Sequence, residues 1–277
     1  MKKKSPYKFY YNVLRQALGQ ALSPNKHKVR SEDFVKAEYA KNYTRETNDD
    51  FMHKTYDVFI NGTKALYPVI EYKKILLEMF ARKLSSFAPK SLLELGSGRG
   101  FNILTLALLC PHIHTFRGIE LTSEGVAMAK QNFANPPFEI LTHLTGLSKE
   151  EITKRLSGRD IDFVEGSIRS LPFPSNSFDA VFSNSVIEQI PRDYQIVFSE
   201  AARVCRTVGV WSEPFFEAQN HHPFKLLYLR NIDYFRASYK EVEKAPWRIF
   251  QFETPAIQKY IFNTGFLTCT KNTNDQS

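Results

Sequence analysis

Cysteine is scarce in this 277-residue chain, which has three: Cys110, Cys205 and Cys269. They lie far apart and show no metal-ligand spacing, which argues against a zinc module or a disulfide scaffold. The expectation is buried free thiols in a reducing compartment, the cytoplasm. Long apolar runs are also missing: no stretch approaches the ~20 residues that carry a helix across a bilayer. No secretory leader is evident, and there are no internal repeats or low-complexity tracts. Acids are the minority charge, 29 against 37 bases, for a net charge of +8 and a pI near 9.2. Such a field favours acidic partners, whether nucleic acid, anionic lipid or a carboxylated metabolite, and equally describes a merely soluble basic surface.

What is present suffices for one α/β domain and an appendage: 43% hydrophobic and 14% aromatic residues. The organising stretch is Ser91–Asn102, S-L-L-E-L-G-S-G-R-G-F-N. A short apolar run carries Glu94 near its end, and Gly96, Gly98 and Gly100 follow at alternate positions. The segment Asn102–Cys110 then reads as a buried helix that Pro111 ends. Strand, glycine turn and helix let a backbone approach a nucleotide-like ligand closely. A dinucleotide fingerprint, G-x-G-x-x-G, would need its last glycine at 101, where this chain has Phe101. A second strand is expected over His114–Glu120, with an acid at its tip about twenty residues beyond Gly100, where such folds often bind a ribose. A carboxylate accepts without donating, so both sugar hydroxyls can be held by one side chain. Thr122 or Ser123 is the expected cap of the next helix.

The G-x-G-x-G form preceded by an acid resembles motif I of class I S-adenosylmethionine-dependent methyltransferases. Further on, Gly166-Ser167-Ile168-Arg169-Ser170-Leu171-Pro172-Phe173 followed by Ser177-Phe178-Asp179 is similar to the adenine loop and fourth strand of that family. The closest pattern is the subgroup of ubiquinone and menaquinone biosynthesis methyltransferases, which has G-D-A-x-x-L-P-F and then S-F-D. Ile187-Glu188-Gln189-Ile190 resembles the family's L-E-H-I, and Ala202-Arg203-Val204 its A-R-V. The resemblance spans residues 90–214. It implies a mostly parallel Rossmann-like sheet with helices on both faces, and an S-adenosyl-L-methionine cofactor. It places that cofactor on Glu94, Gly96, Ser97, Gly98, Gly100, Glu120, Leu121, Ser167, Ile168, Asn184 and Ser185. Two departures matter. Ser167 stands where the family has the aspartate that accepts from the adenine amine, leaving Ile168 to carry more of that contact. Gln189 replaces a histidine, so any role of that histidine is lost here.

The rest of the chain is organised around this unit. Residues 1–74 are expected to form an N-terminal helical cap, with Phe9, Val13, Leu14, Ala17, Leu18 and Ala21 at helical spacing. That basic amphipathic helix fits either its own domain or, through residues 1–22, a membrane surface. The domain proper is expected over 75–270, with a tail at 271–277. Within it, 133–160 reads as an insertion bordering the substrate site, and 215–253 as an aromatic, basic substrate-side segment. Thr254–Asn263 reads as a helix, and Gly265 begins a last strand. His221, His222, Glu188 and Glu213 are candidate general bases by location alone. The adjacent His pair lacks i,i+4 ligand geometry, so no metal is assigned.

Small-molecule methyl transfer is therefore expected, with an acidic or aromatic acceptor and with O-, N- or C-methylation left open. Two alternatives stand beside it. One is an RNA-modifying or RNA-binding protein, suggested by the basic charge and aromatics but lacking an Asn-Pro-Pro-aromatic signature after strand four. The other is an inactive cofactor-fold binding protein, suggested by Ser167 and Gln189.

Overall fold

The computed structural model describes residues 11–15, 17–18, 30–45, 47–60, 63–219, 223–259 and 262–272. A seven-stranded sheet forms the centre, in the order β5-β4-β3-β6-β7-β10-β8. Its strands are β3 (Ser91–Leu95), β4 (Thr115–Glu120), β5 (Asp160–Glu165), β6 (Phe178–Asn184), β7 (Cys205–Glu213), β8 (Trp247–Glu253) and β10 (Gly265–Lys271). The first five pair in parallel. β10 runs antiparallel to β7 on one side and to β8 on the other. Chain order reverses at β3, whose neighbours β4 and β6 carry the chain in opposite directions. In open α/β sheets that switch point is where ligands bind.

The inner strands β3, β6 and β7 are buried on both faces and read as near-continuous apolar runs, as central parallel strands do. One face is covered by α3 (Val69–Phe87), α4 (Phe101–Leu109), α6 (Phe138–Thr145) and α7 (Lys149–Ser157). Ile140, Leu141, Leu144, Ile152 and Leu156 join this core. The helices of residues 133–160 therefore pack on α3 and α4, and no residue of this segment is a wall of the crevice described below, where the expectation has it border the substrate site. The opposite core is built around α8 (Tyr194–Val204), Trp211, Trp247 and Phe235. α5 (Ser123–Ala134) follows β4, and the Thr122 side chain caps it by accepting from the Gly125 N–H. All three cysteines are free and buried.

Ahead of the sheet lie α1 (Glu32–Arg45), α2 (Asn48–His53) and a hairpin of β1 (Thr55–Ile60) and β2 (Thr63–Pro68). The leading segment is thus helical only in part, and α3 runs straight across position 74. The helix expected over 254–263 is absent among its described residues. Gln258–Lys259 instead form β9, antiparallel to β1 at Val58 and Phe59. Of the first amphipathic segment, residues 11–15 and 17–18 are described and helical. Val13 is buried and its carbonyl accepts from the Asn231 side chain, while Leu14 and Leu18 are exposed. No helix among the described residues is long and apolar enough to cross a membrane.

Candidate functional site

The carboxyl ends of β3, β4, β5 and β6 open into one cavity of about 300 Å³. The glycine turn after β3 forms its floor. Gly96 and Ser97 both donate backbone N–H groups to the Ile119 carbonyl of β4, at 2.9 Å each. Gly96, Gly98 and Gly100 all hold positive φ, at 70°, 51° and 79°, which side-chain-bearing residues adopt only at a cost of roughly 1–2 kcal/mol. Space is short as well: a Cβ on Gly96 would sit 2.6 Å from the Val186 methyls, and one on Gly100 2.8 Å from the Phe163 ring.

Glu120 stands at the tip of β4 with 6% of its surface exposed. Its Oε2 accepts from the Gly98 N–H at 3.1 Å, and its Oε1 from the Thr122 N–H and hydroxyl at 3.1 and 2.9 Å. The acid therefore ties the glycine turn to the start of α5 as well as facing the cavity. Burial raises its pKa above the usual carboxylate value, against the pull of the Thr122 and Gly98 bonds.

Nine of the eleven residues placed on the cofactor by the sequence line the cavity: Gly96, Ser97, Gly98, Glu120, Leu121, Ser167, Ile168, Asn184 and Ser185. Glu94 and Gly100 do not. Gly100 is the cap of α4. Glu94 is fully buried and accepts from the Asn102 amide at 2.5 Å; Asn102 is the residue that reaches the cavity. Burial pushes the Glu94 carboxyl up, and the Asn102 bond and the Lys73 charge draw it back. Lys73, also a wall residue, is pushed down to about 8 by the same burial.

Several oxygens here are buried without a partner: Glu94 Oε2, Ser97 Oγ, Asn102 Oδ1 and Asn184 Oδ1. Buried acceptors left unmatched in a fold are costly, about 1–3 kcal/mol each. Two of the four, the Asn102 and Asn184 amide oxygens, can only accept, so the group that satisfies them carries N–H or O–H donors. An ammonium and sugar hydroxyls have that character, and the residues present fit S-adenosylmethionine. Ser185 holds φ of 59° at the end of β6, a conformation that non-glycine residues keep mostly at functional sites.

Ser167 does not behave as a weakened aspartate. Its hydroxyl donates to Glu32 Oε2 of α1 at 2.6 Å and accepts from the Arg169 N–H at 3.2 Å. Arg169 Nε reaches the same Glu32 oxygen at 2.8 Å, and its Nη1 binds Asp193 at 2.7 Å. Burial raises the Glu32 carboxyl, but the Arg169 and Ser167 bonds outweigh it and hold the group below its ordinary value. Gln189 likewise has a structural partner set. It accepts from Arg30 and donates to the Tyr234 hydroxyl and to Glu188 Oε1, both at 3.1 Å. The Arg30 guanidinium lies 4.4 Å from the Tyr234 ring centre. Gln189 thus fastens Arg30, just ahead of α1, to the sheet side.

Of the candidate bases, His221 and His222 lie outside the described residues. Glu213 is consumed by architecture: its oxygens accept from the Ser183 hydroxyl at 2.6 Å and from the Val186 and Ile187 N–H groups at 3.1 Å. Glu188 has a single side-chain donor, Gln189, and burial lifts its pKa to about 7, against the charges of Lys259 and Arg30. Lys259 itself is pushed down by burial and lies 4.7 and 4.8 Å from the ring centres of Tyr56 and Tyr72. Sequence reasoning missed this Lys259–Tyr56–Tyr72 group and Glu32, because each depends on elements far apart in the chain. Among the described residues, no cluster of three or more His, Cys, Asp or Glu is placed to hold a metal ion.

Residues 93–211 match the family model described as methyltransferase domain. Similar solved structures agree in fold. The (4+2)-cyclase SpnF superposes with a TM-score of 0.61 at 15% identity, over 87% of this chain and 96% of its own. The magnesium protoporphyrin IX methyltransferase of Synechocystis PCC 6803, solved with bound S-adenosylmethionine, gives 0.55 at 12% identity, over 89% and 99%. The geranyl diphosphate C-methyltransferase of Streptomyces coelicolor A3(2) gives 0.51 at 11% identity, over 85% and 97%. A cyclase among them shows that the fold alone does not choose the reaction. What the comparisons give this chain is a match to the methyltransferase-domain model over residues 93–211 and a mostly parallel, Rossmann-like sheet.

Proposed function

We propose that the chain methylates a small, aromatic-faced acceptor, and that Glu188 takes the proton from the acceptor's nucleophile. The observation that carries the cofactor half is the set of unmatched buried acceptors around the glycine turn, with Glu120 one strand away. Glu120 would hold the ribose hydroxyls, and Asn102 and Asn184 would face the amino-acid end. When bound, S-adenosylmethionine supplies a methyl group on a sulfonium already activated for in-line displacement. The residues of the chain then have to align the acceptor, exclude water and manage one proton.

The acceptor half rests on the walls. Tyr39, Tyr43 and Phe51 line the cavity from α1 and α2, and Val186 and Ile190 face it from the loop after β6. Flat apolar surface of this kind suits a ring or an unsaturated chain. The magnesium porphyrin and isoprenoid diphosphate named for the two methyltransferases of similar fold are of that general kind. Glu188 adjoins Gln189, a wall residue, and its pKa near 7 suits a base working at neutral pH. Isothermal calorimetry with S-adenosylhomocysteine tests the first half, with binding expected; no heat at saturating ligand would refute it. Incubation with S-adenosylmethionine and a metabolite extract tests the second. A product gaining one methyl group is expected, and its absence with the E188Q variant checks the base.

A further inference from the structure

The cavity wall contains two carboxylates, Glu120 and Glu32. Glu120 uses both oxygens to tie the glycine turn to α5. Glu32 comes from α1, an element outside the sheet, and its Oε2 is occupied by Ser167 and Arg169. Its Oε1 takes no hydrogen bond from the described residues. An ionised carboxylate can only accept, so the matching ligand atom is an N–H or O–H donor.

The place of this oxygen along the sheet narrows the donor. β4 and β5 are neighbours, paired from Thr115↔Asp160 to Glu120↔Glu165. Adjacent strands stand about 4.8 Å apart. A nucleoside whose sugar is held at the tip of β4 therefore brings its base to the tip of β5, beside Ser167 and Ile168. Ser167 offers that base at most one neutral lone pair. Its one proton goes to Glu32, and it already accepts from Arg169. Ile168 is apolar and 9% exposed, fit to lie against a ring face.

We infer that Glu32, carried by the cap helix, accepts the exocyclic amine of the adenine base, so that cap placement and cofactor recognition are one event. Ser167 and Arg169 are its positioning residues, fixing the carboxylate from the sheet side, with Asp193 steadying Arg169. The inference rests on the cofactor reading above. It goes beyond that reading because the acid arrives from a different element, one that must dock before it can bind.

The test compares S-adenosylhomocysteine with S-inosylhomocysteine, which carries a carbonyl in place of the amine, by calorimetry on the full chain. Wild type should prefer the adenosyl ligand by about tenfold or more, the scale of one charge-assisted bond. E32A and E32Q should bind both ligands within about threefold of each other. Adding S167D to E32A, which returns an acid from the sheet side, should restore the preference. Glu32 lies half-buried in the first turn of its helix, and circular dichroism checks that each variant is folded. An unchanged preference in folded E32A and E32Q overturns the assignment while leaving the cofactor reading intact. Failure of wild type to bind either ligand overturns both.

Discussion

Replacing Glu120 with alanine separates two jobs that one side chain performs. Its carboxylate receives three hydrogen bonds, from Gly98 and twice from Thr122. The alanine variant leaves the Gly98 and Thr122 N–H groups without an acceptor in a site where Glu120 is 6% exposed. Each stranded donor costs about 1–3 kcal/mol. Against this, the variant no longer buries a charge whose pKa is held up by desolvation, so the net loss of stability should be about 1–3 kcal/mol. At roughly 2–4 °C per kcal/mol for a domain of 150–250 residues, melting should fall by several degrees. Binding should suffer more. Two ribose hydroxyls donating to a carboxylate are worth about 1.5–3 kcal/mol each, which predicts a Kd for S-adenosylhomocysteine raised by roughly 100-fold or more. E120Q keeps the shape and one acceptor oxygen, and its Kd should fall between the two. The assay is calorimetry well below the melting temperature, with thermal unfolding run in parallel. An alanine variant that stays folded and binds with wild-type affinity would refute the placement of the sugar at this acid.

The remaining predictions address other parts of the site. E188Q should lower kcat by about 100-fold, the lower end for a general base, with little change in S-adenosylhomocysteine affinity. In wild type, kcat should rise with pH through about 7, as the Glu188 carboxyl loses its proton, and the pH–rate profile of E188Q should lack that limb. G96A should destabilise the fold by about 2 kcal/mol or more, since positive φ and a Cβ 2.6 Å from Val186 act together; denaturant unfolding measures it. S167D with Glu32 intact sets two carboxylates face to face. It should release α1 without unfolding the sheet, seen as faster proteolysis within residues 30–53 at an unchanged melting temperature.

What the sequence makes legible is whatever a short run of residues decides locally. The strand of Leu92, Leu93 and Leu95, the three glycines and the apolar helix after them specify the turn without help, so the wall residues Gly96, Ser97 and Gly98 follow from local pattern, whereas Ser167, Ile168, Asn184 and Ser185 came from the family resemblance. The α7 helix is readable from the Ser148-Lys149-Glu150-Glu151 capping pattern, and the Ser148 side chain accepts from the Glu151 N–H. The α6 helix and the destination of both were not read, although the stripe of Ile140, Leu141 and Leu144 indicates burial and not a pocket rim. Thr254–Asn263 misled because proline near a helix start and apolar residues behind it favour a helix. The open edge of β1 offers unpaired backbone groups to Gln258–Lys259, and that non-local pairing prevails over local propensity. Glu32 was invisible for a related reason. In sequence it is an acid in the first turn of a polar helix, and only the fold sets it against Ser167.

These details bear on how a ligand reaches a cavity that the cap helps to enclose. α1 contributes one residue, Val35, to the buried apolar set among the described residues, worth about 1.5–3 kcal/mol. Its other ties to the sheet are polar: Glu32 with Ser167 and Arg169, and Lys36 with Glu165 at 2.8 Å. Partly exposed pairs of this sort add about 0–1 kcal/mol each. α1 also packs along α5, with the Tyr43 ring against Gly125, so lifting it away costs more than these contacts alone but less than disturbing the strands beneath it, where Leu92, Leu93 and Leu95 are fully buried. A ligand that contacts sheet and helix together has differential affinity for the closed state, and only such a ligand can shift the balance toward it. Tyr43 strengthens the case, since its hydroxyl would lie 3.1 Å from a Cβ on Gly98, directly over the turn that forms the cavity floor. The rigid half of the site is thus the sheet with Glu120, and the adjustable half is the helix that brings Glu32, Tyr39 and Tyr43. Selectivity for the base and closure over the acceptor then depend on the same weakly held element.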